Sequence, residues 1–309
     1  MDARGGPPTL PRMHPAPRSR RAFLSQTLTA AGATAVFRPA LRAASAPTWT
    51  IGCLNRPWTK WSCDAMLDGV RAAGFTELGL QTPTKEDPFV AATSADYLAE
   101  LARKIAARGL RATMGRLRTR DDGPFDEAAR AEIRRQLANA RTLGLTTLIN
   151  TGVGKAAQYE TWYRAMAYAA AQGAELGVRI VTKPHGGVTA AATDLLRCVE
   201  RVNHPNFGIW YDPGNIIHYT GLDPVAELEP LLPHLAAFTA KDCAAKGGEV
   251  MIQLGAGAVD FAALFRRLRR AGFAGPVMLE GGAVGETAEA TTQNARANRE
   301  FLARTLAPA

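Results

Sequence analysis

Along this chain, short apolar runs rich in β-branched residues alternate with longer segments whose apolar positions recur every three or four residues. The first pattern reads as buried strands and the second as amphipathic helices. Strands are expected at Trp49–Leu54, Glu77–Gln81, a weak one at Arg111–Met114, then Thr146–Asn150, Val178–Thr182, Phe207–Tyr211, Leu235–Ala240 and Pro276–Leu279. Helices are expected at Cys63–Ala73, Ala95–Arg108, Asp126–Leu143, Ala156–Leu176, Ala190–Val202, Pro224–Leu232, Phe261–Ala271 and Thr287–Leu306. Glycine follows five of these helices, as suits the left-handed residue that ends a helix, and Asp260 is placed to cap the seventh. Eight βα units in about 255 residues predict an α/β protein with a single (β/α)8 barrel over residues 47–309. An open dinucleotide-binding sheet is disfavoured. Strand 1 runs into Cys53-Leu54-Asn55-Arg56-Pro57-Trp58, with no G-x-G-x-x-G. The longest stretch without a helix, Asp242–Val259, predicts a short hairpin on the site face.

Charge changes this picture only at the N-terminus. The 309 residues carry 37 basic and 28 acidic side chains, a net of +9. Residues 1–46 hold seven Arg and one acid, leaving 30 basic and 27 acidic residues in the remainder. A surface so close to balance does not call for nucleic acid as a partner. Within the leader, Ser19-Arg20-Arg21-Ala22-Phe23-Leu24 resembles the twin-arginine export motif, which a receptor reads. The Ala22–Phe37 stretch behind it is too short and polar to span a membrane stably. Residues 1–46 are therefore expected to be a signal segment and linker, with the barrel exported to the periplasm or beyond by the twin-arginine machinery. Cleavage after Ala46 or before Ala44 stays open, and so does a start at Met1 or Met13. The cysteines, Cys53, Cys63, Cys198 and Cys243, form no C-x-x-C pair. Buried free thiols are expected, with a Cys53–Cys63 disulfide as the alternative that an oxidising compartment permits.

A barrel places its chemistry where strands end. The polar residues there are Asn55, Arg56, Trp58 and Lys60 after strand 1, Gln81 after strand 2 and Asn150 after strand 4. Strand 5 adds Lys183 and His185, strand 6 Asp212 and Asn215, strand 7 Thr239, Lys241 and Asp242, and strand 8 Glu280. A polar mouth of mixed charge, with Trp58 and Trp61 nearby, suits a sugar, whose C–H faces pack on indole. Packing of both indoles against the barrel rim is the alternative. Lys183 stands out, because a buried strand end is a costly place for a lone ammonium.

In sequence order, Lys183-Pro184-His185, Tyr211-Asp212-Pro213-Gly214-Asn215, Ala240-Lys241-Asp242, Gly255–Phe261 and Leu279-Glu280-Gly281 occupy successive strand ends. Together they resemble the xylose isomerase-like TIM barrel superfamily of sugar isomerases and epimerases, over about Trp49–Leu306. Epimerase-type members bind one divalent metal through Glu, Asp, His and Glu from strands 5 to 8. Carried over, Asp212 and Glu280 match two ligands, whereas Lys183 and Thr239 stand in place of the other Glu and the His. An ammonium repels a metal, and two carboxylates with a hydroxyl make a poor site. No metal cofactor is therefore expected, and Lys183 is expected to take the metal's place between Asp212 and Glu280. Catalytic roles are expected for Lys183, His185, Asp212 and Glu280, and contacts to a sugar for Arg56, Trp58, Gln81, Asn150, Asn215, His218, Lys241 and Asp242. Two alternatives stand beside this isomerase or epimerase: a metal-dependent isomerase, epimerase or keto-sugar lyase, with Mn, Mg or Zn on Asp212, Glu280 and His185, and a sugar-binding protein without catalysis.

Overall fold

In the computed structural model, which describes residues 49–120 and 123–307, eight parallel strands close on themselves in chain order. They are β1 (Ile51–Leu54), β2 (Glu77–Leu80), β3 (Arg111–Arg116), β4 (Thr147–Asn150), β5 (Arg179–Thr182), β6 (Phe207–Tyr211), β7 (Leu235–Ala240) and β8 (Val277–Leu279). β8 returns to β1 with Gly52 opposite Met278, so no edge is left open. Around the strands run α1 (Cys63–Ala72), α2 (Ala95–Ala107), α3 (Glu127–Thr142), α4 (Tyr159–Leu176), α5 (Ala192–Val202), α6 (Pro213–Thr220), α7 (Pro224–Leu228), α8 (Phe261–Arg270) and α9 (Ala288–Leu306). Side-chain oxygens of Ser62, Ser94, Asp126, Asp223, Asp260 and Thr287 accept from the first turns of α1, α2, α3, α7, α8 and α9. The signal segment expected at residues 1–46 lies outside the described residues.

Strand alternation divides the core in two. Leu78, Leu148, Ile180, Ile209, Phe238 and Val277 face outward and pack with helix residues such as Leu67, Leu101, Leu137, Met166, Leu195, Phe265 and Leu302. Facing inward, Leu54, Met114, Ile149, Val181, Trp210, Ala237 and Met278 fill the barrel itself. Burying each large member of either set is worth about 1.5–3 kcal/mol. The bore is plugged, so chemistry can only sit above this layer.

Four departures from the expected elements bear on the site or on the strands that carry it. β3 runs on to Arg116, two residues beyond the expected end at Met114, pairing Arg116 with Ile149 of β4. The β1 ladder starts at Ile51 instead of Trp49, whose indole N–H donates to the Phe273 carbonyl at 2.6 Å. α6 was not expected: Asp212 caps it and Pro213 opens it, so a segment that reads as a turn becomes a helix. The hairpin expected within 242–259 is an irregular loop. Its Cys243, Gly255, Gly257 and Val259 N–H groups all donate to the Asp242 carboxylate, at 2.8–3.1 Å, leaving no ladder to form.

Candidate active site

One residue pair above the plug, the same inward parity brings up a ring of polar side chains. Leu54 is followed by Arg56, Gly79 by Gln81, Met114 by Arg116, Ile149 by Thr151, Val181 by Lys183, Trp210 by Asp212 and Met278 by Glu280. On β7 the inward series Ala237, Thr239 ends at Lys241. Five charged residues of this ring form one cluster. Lys183 Nζ donates to Asp212 Oδ2 at 2.9 Å and to Glu280 Oε2. Lys241 Nζ donates to Asp212 Oδ2 at 3.2 Å and Asn215 Oδ1 at 3.0 Å, and lies 2.6 Å from Glu280 Oε1. Arg56 Nη1 donates to Glu280 Oε1 at 2.9 Å. Both lysines are 1% exposed, Asp212 0% and Glu280 2%.

Such burial would be costly for any of these charges alone. Burial would push the Glu280 carboxyl up, but Lys183, Lys241 and Arg56 outweigh it and hold the group well below the usual carboxylate range. Burial also works against the Lys183 charge, yet Asp212 and Glu280 more than compensate and its pKa is raised. For Lys241 burial wins, with Lys183 and Arg56 repelling, and its pKa is lowered despite the same carboxylates. His185 stands at the rim with part of its surface in water, 3.2 Å from the Tyr219 hydroxyl through Nε2. The surrounding protein, then the Lys183 and Lys241 charges, lower its pKa to about 4, so the ring is neutral at pH 7.

The other expected site residues divide sharply. Asn215 supports the cluster from behind: its Nδ2 donates to the Pro184 carbonyl at 2.7 Å while its Oδ1 receives Lys241. Gln81 belongs to the ring, 5% exposed, and its Oε1 has no hydrogen-bond partner. His218 tethers α6 to the 242–259 loop through Nδ1 and the Gly248 carbonyl, 2.8 Å apart. Asp242 and Asn150 point away from the bore, and their polar atoms are already taken. Asn150 donates to the Leu117 carbonyl and Thr119 hydroxyl and accepts from Gly152 N–H and the Trp162 indole. Trp58 is 1% exposed and donates to Thr292 Oγ1 at 3.3 Å, which makes it packing beneath α9 and not a sugar platform. Trp61 also packs against the outer core. The four cysteines are free thiols.

Arg116 and Thr151 are not expected site residues, yet both stand in the ring, with Arg116 Nη2 3.5 Å from Thr151 Oγ1. Counting parity up from Met114 and Ile149 would have found them. A cavity of about 170 Å³ opens beside this ring, between α3 and α4, lined by Arg118, Arg120, Phe125, Glu132, Val153 and Trp162. No residue of the charged cluster lines it, so the cluster and not this cavity is the chemical candidate.

A divalent cation does not fit the donors present. Asp212 and Glu280 already share two ammonium groups, and a metal would have to settle among two fixed positive charges. Thr239 Oγ1, buried below and without a hydrogen-bond partner, adds one weak donor. His185, the remaining candidate ligand, bonds to Tyr219 and to neither carboxylate. Among the described residues, no group of three His, Cys, Asp or Glu side chains could hold a metal.

The family described as xylose isomerase-like TIM barrel matches residues 67–305. No curated protein matches. Among solved structures, a xylose isomerase-like TIM barrel protein from Mycobacterium smegmatis in complex with magnesium superposes with a TM-score of 0.68 at 17% identity, covering 84% of this chain and 98% of that one. D-psicose 3-epimerase from Clostridium cellulolyticum H10, with D-tagatose, gives 0.67 at 14% identity, covering 84% and 100%. The probable 3-DHS dehydratase of petrobactin synthesis from Bacillus anthracis gives 0.65 at 14% identity, covering 82% and 98%. At these identities the structures share a fold with this chain, and the family match carries the assignment. The chain belongs to the xylose isomerase-like TIM barrel family.

Proposed function

We propose that this protein is an isomerase or epimerase that moves a proton beside the carbonyl of a sugar or sugar derivative, with two lysine ammonium groups supplying the charge a metal would otherwise supply. The observation that carries this reading is the Lys183 bridge between Asp212 and Glu280, with Lys241 on the same two carboxylates. Family membership supports the sugar, and so do the epimerases among the proteins of similar fold.

Removal of a proton next to a carbonyl leaves the C–H electron pair as a new C=C bond and pushes the carbonyl electrons onto oxygen. Glu280 takes the proton, and the Lys183 ammonium, aided by Lys241, stabilises the developing oxyanion. In the resting site Glu280 is a weak base, because three cations surround it. When the substrate's oxygens draw the ammonium N–H bonds to themselves, the carboxylate loses hydrogen bonds and gains basicity. Neutral His185, beside Tyr219, orients a hydroxyl. Return of the proton from Glu280 to the neighbouring carbon, with the adjacent hydroxyl giving its proton to the enolate oxygen, gives the isomer; release of that proton to solvent and delivery of a solvent proton to the opposite face gives the epimer. A keto-sugar lyase begins with the same step, and the dehydratase of similar fold favours keeping it as the second reading. The test is exchange of substrate C–H for deuterium in D₂O, followed by NMR. Exchange is expected in the parent protein and should fall at least about a hundredfold in Glu280→Gln; undiminished exchange in the variant removes Glu280 from the role.

The reading extends to location. We infer export through the twin-arginine pathway, supported by Arg20-Arg21 followed by an apolar stretch and a small-residue end.

A further inference from the structure

The charges of the cluster do not cancel. Lys183, Lys241 and Arg56 face Asp212 and Glu280, an excess of one positive charge in a site whose other members are almost wholly buried. The two ammonium groups are committed to the carboxylates and to Asn215. Arg56 is not. One of its N–H groups bonds Glu280, while the others hold no hydrogen bond among the described residues, and a third of the side chain is exposed. It is the cluster's member at the surface, holding an incomplete set of bonds. Nearby, buried Gln81 offers the acceptor Oε1 with no hydrogen-bond partner, which suits a sugar hydroxyl and leaves the anion to Arg56. An unbalanced positive charge at a low-dielectric mouth favours an anion, and a guanidinium fork matches a carboxylate at two points.

Resting on the proton-transfer reading above, we propose that the substrate is an acidic sugar, a uronate or keto-aldonate, whose carboxylate Arg56 takes up on entry while releasing Glu280. The exchange couples recognition to chemistry. Arg56 is one of three cations holding Glu280 in its low-basicity state, and its departure toward the substrate strengthens the base when there is a proton to remove. The cluster's single excess positive charge is matched by one carboxylate, and Arg116 elsewhere in the ring adds to the attraction for an anion.

The experiment titrates the full-length protein calorimetrically with D-fructuronate and D-glucuronate, with neutral D-fructose and D-glucose, and with D-fructose 6-phosphate. The same compounds are followed for C–H exchange in D₂O. The expected result is binding of a uronate about ten- to hundredfold tighter than its neutral counterpart. That preference should collapse toward parity in Arg56→Gln and survive in part in Arg56→Lys, which keeps the charge and loses the fork. Circular dichroism and thermal melting establish that both variants fold. Four results overturn the proposal: equal binding of neutral and acidic sugars, tighter binding of the phosphate, a preference unchanged in Arg56→Gln, or no binding of either uronate. Arg56-dependent uronate binding with no exchange would leave this inference standing and sink the proton-transfer reading. Exchange on neutral sugars with no preference for acid would do the reverse.

Discussion

Lys183 is held in the barrel mouth by charges that follow strands far apart in sequence, Asp212 after β6 and Glu280 after β8. Its oddness was legible in the chain, since a lysine at a buried strand end needs a partner. That Lys241 would join it was not, because a lysine in Ala240-Lys241-Asp242 reads equally well as a rim residue. Only closure of β7 against β8 brings its Nζ to Glu280. His185 shows the same limit: its place was readable, its protonation state was not. The surrounding protein and two nearby ammonium groups lower its pKa to about 4, so it takes up a proton only in acid and is neutral from about pH 5 upward. NMR titration of the imidazole should find its midpoint near 4, with no inflection near 6.5 assignable to this ring. A midpoint at 6 or above would mean that the ammonium charges do not act on it, and that it could serve as an acid at neutral pH.

Polarity at a strand end does not by itself make a residue part of the site. Parity decides. Lys183, Lys241 and Glu280 share the inward face with the plug residues, while Asn150 and Asp242 are each one position out of phase and serve the scaffold. Asp242 is the clearer case. Four backbone N–H groups from 243–259 converge on its carboxylate, which replaces the hairpin by a loop folded around an anion. Asp242→Ala leaves those donors without their acceptor and should destabilise the fold by about 3 kcal/mol or more. Urea denaturation measures the loss, and limited proteolysis should find new cleavage within 243–259. A change within about 0.5 kcal/mol would mean that water replaces the carboxylate at no cost.

The whole barrel was readable because eight βα units repeat without interruption, a number that favours a closed barrel over an open parallel sheet, and the strands do close in chain order. What the repeat could not convey was the loop chemistry, in which α6 grows from the Asp212 cap and 242–259 wraps around Asp242. Charge, likewise, belongs to parts and not to the average, since most of the net +9 comes from residues 1–46. Export is tested at this scale by replacing Arg20 and Arg21 with Lys in the full-length chain. Cell fractionation should then find the protein retained in the cytoplasm, and unchanged export would refute the twin-arginine route. The central claim is that two ammonium groups do the work of a metal, and the most direct test is metal content measured on active protein. Elemental analysis should find well under one divalent ion per chain, with turnover unchanged after exhaustive chelation and lost in Lys183→Met. One tightly held Mn, Mg or Zn per chain, with activity that chelation abolishes and the ion restores, would contradict it.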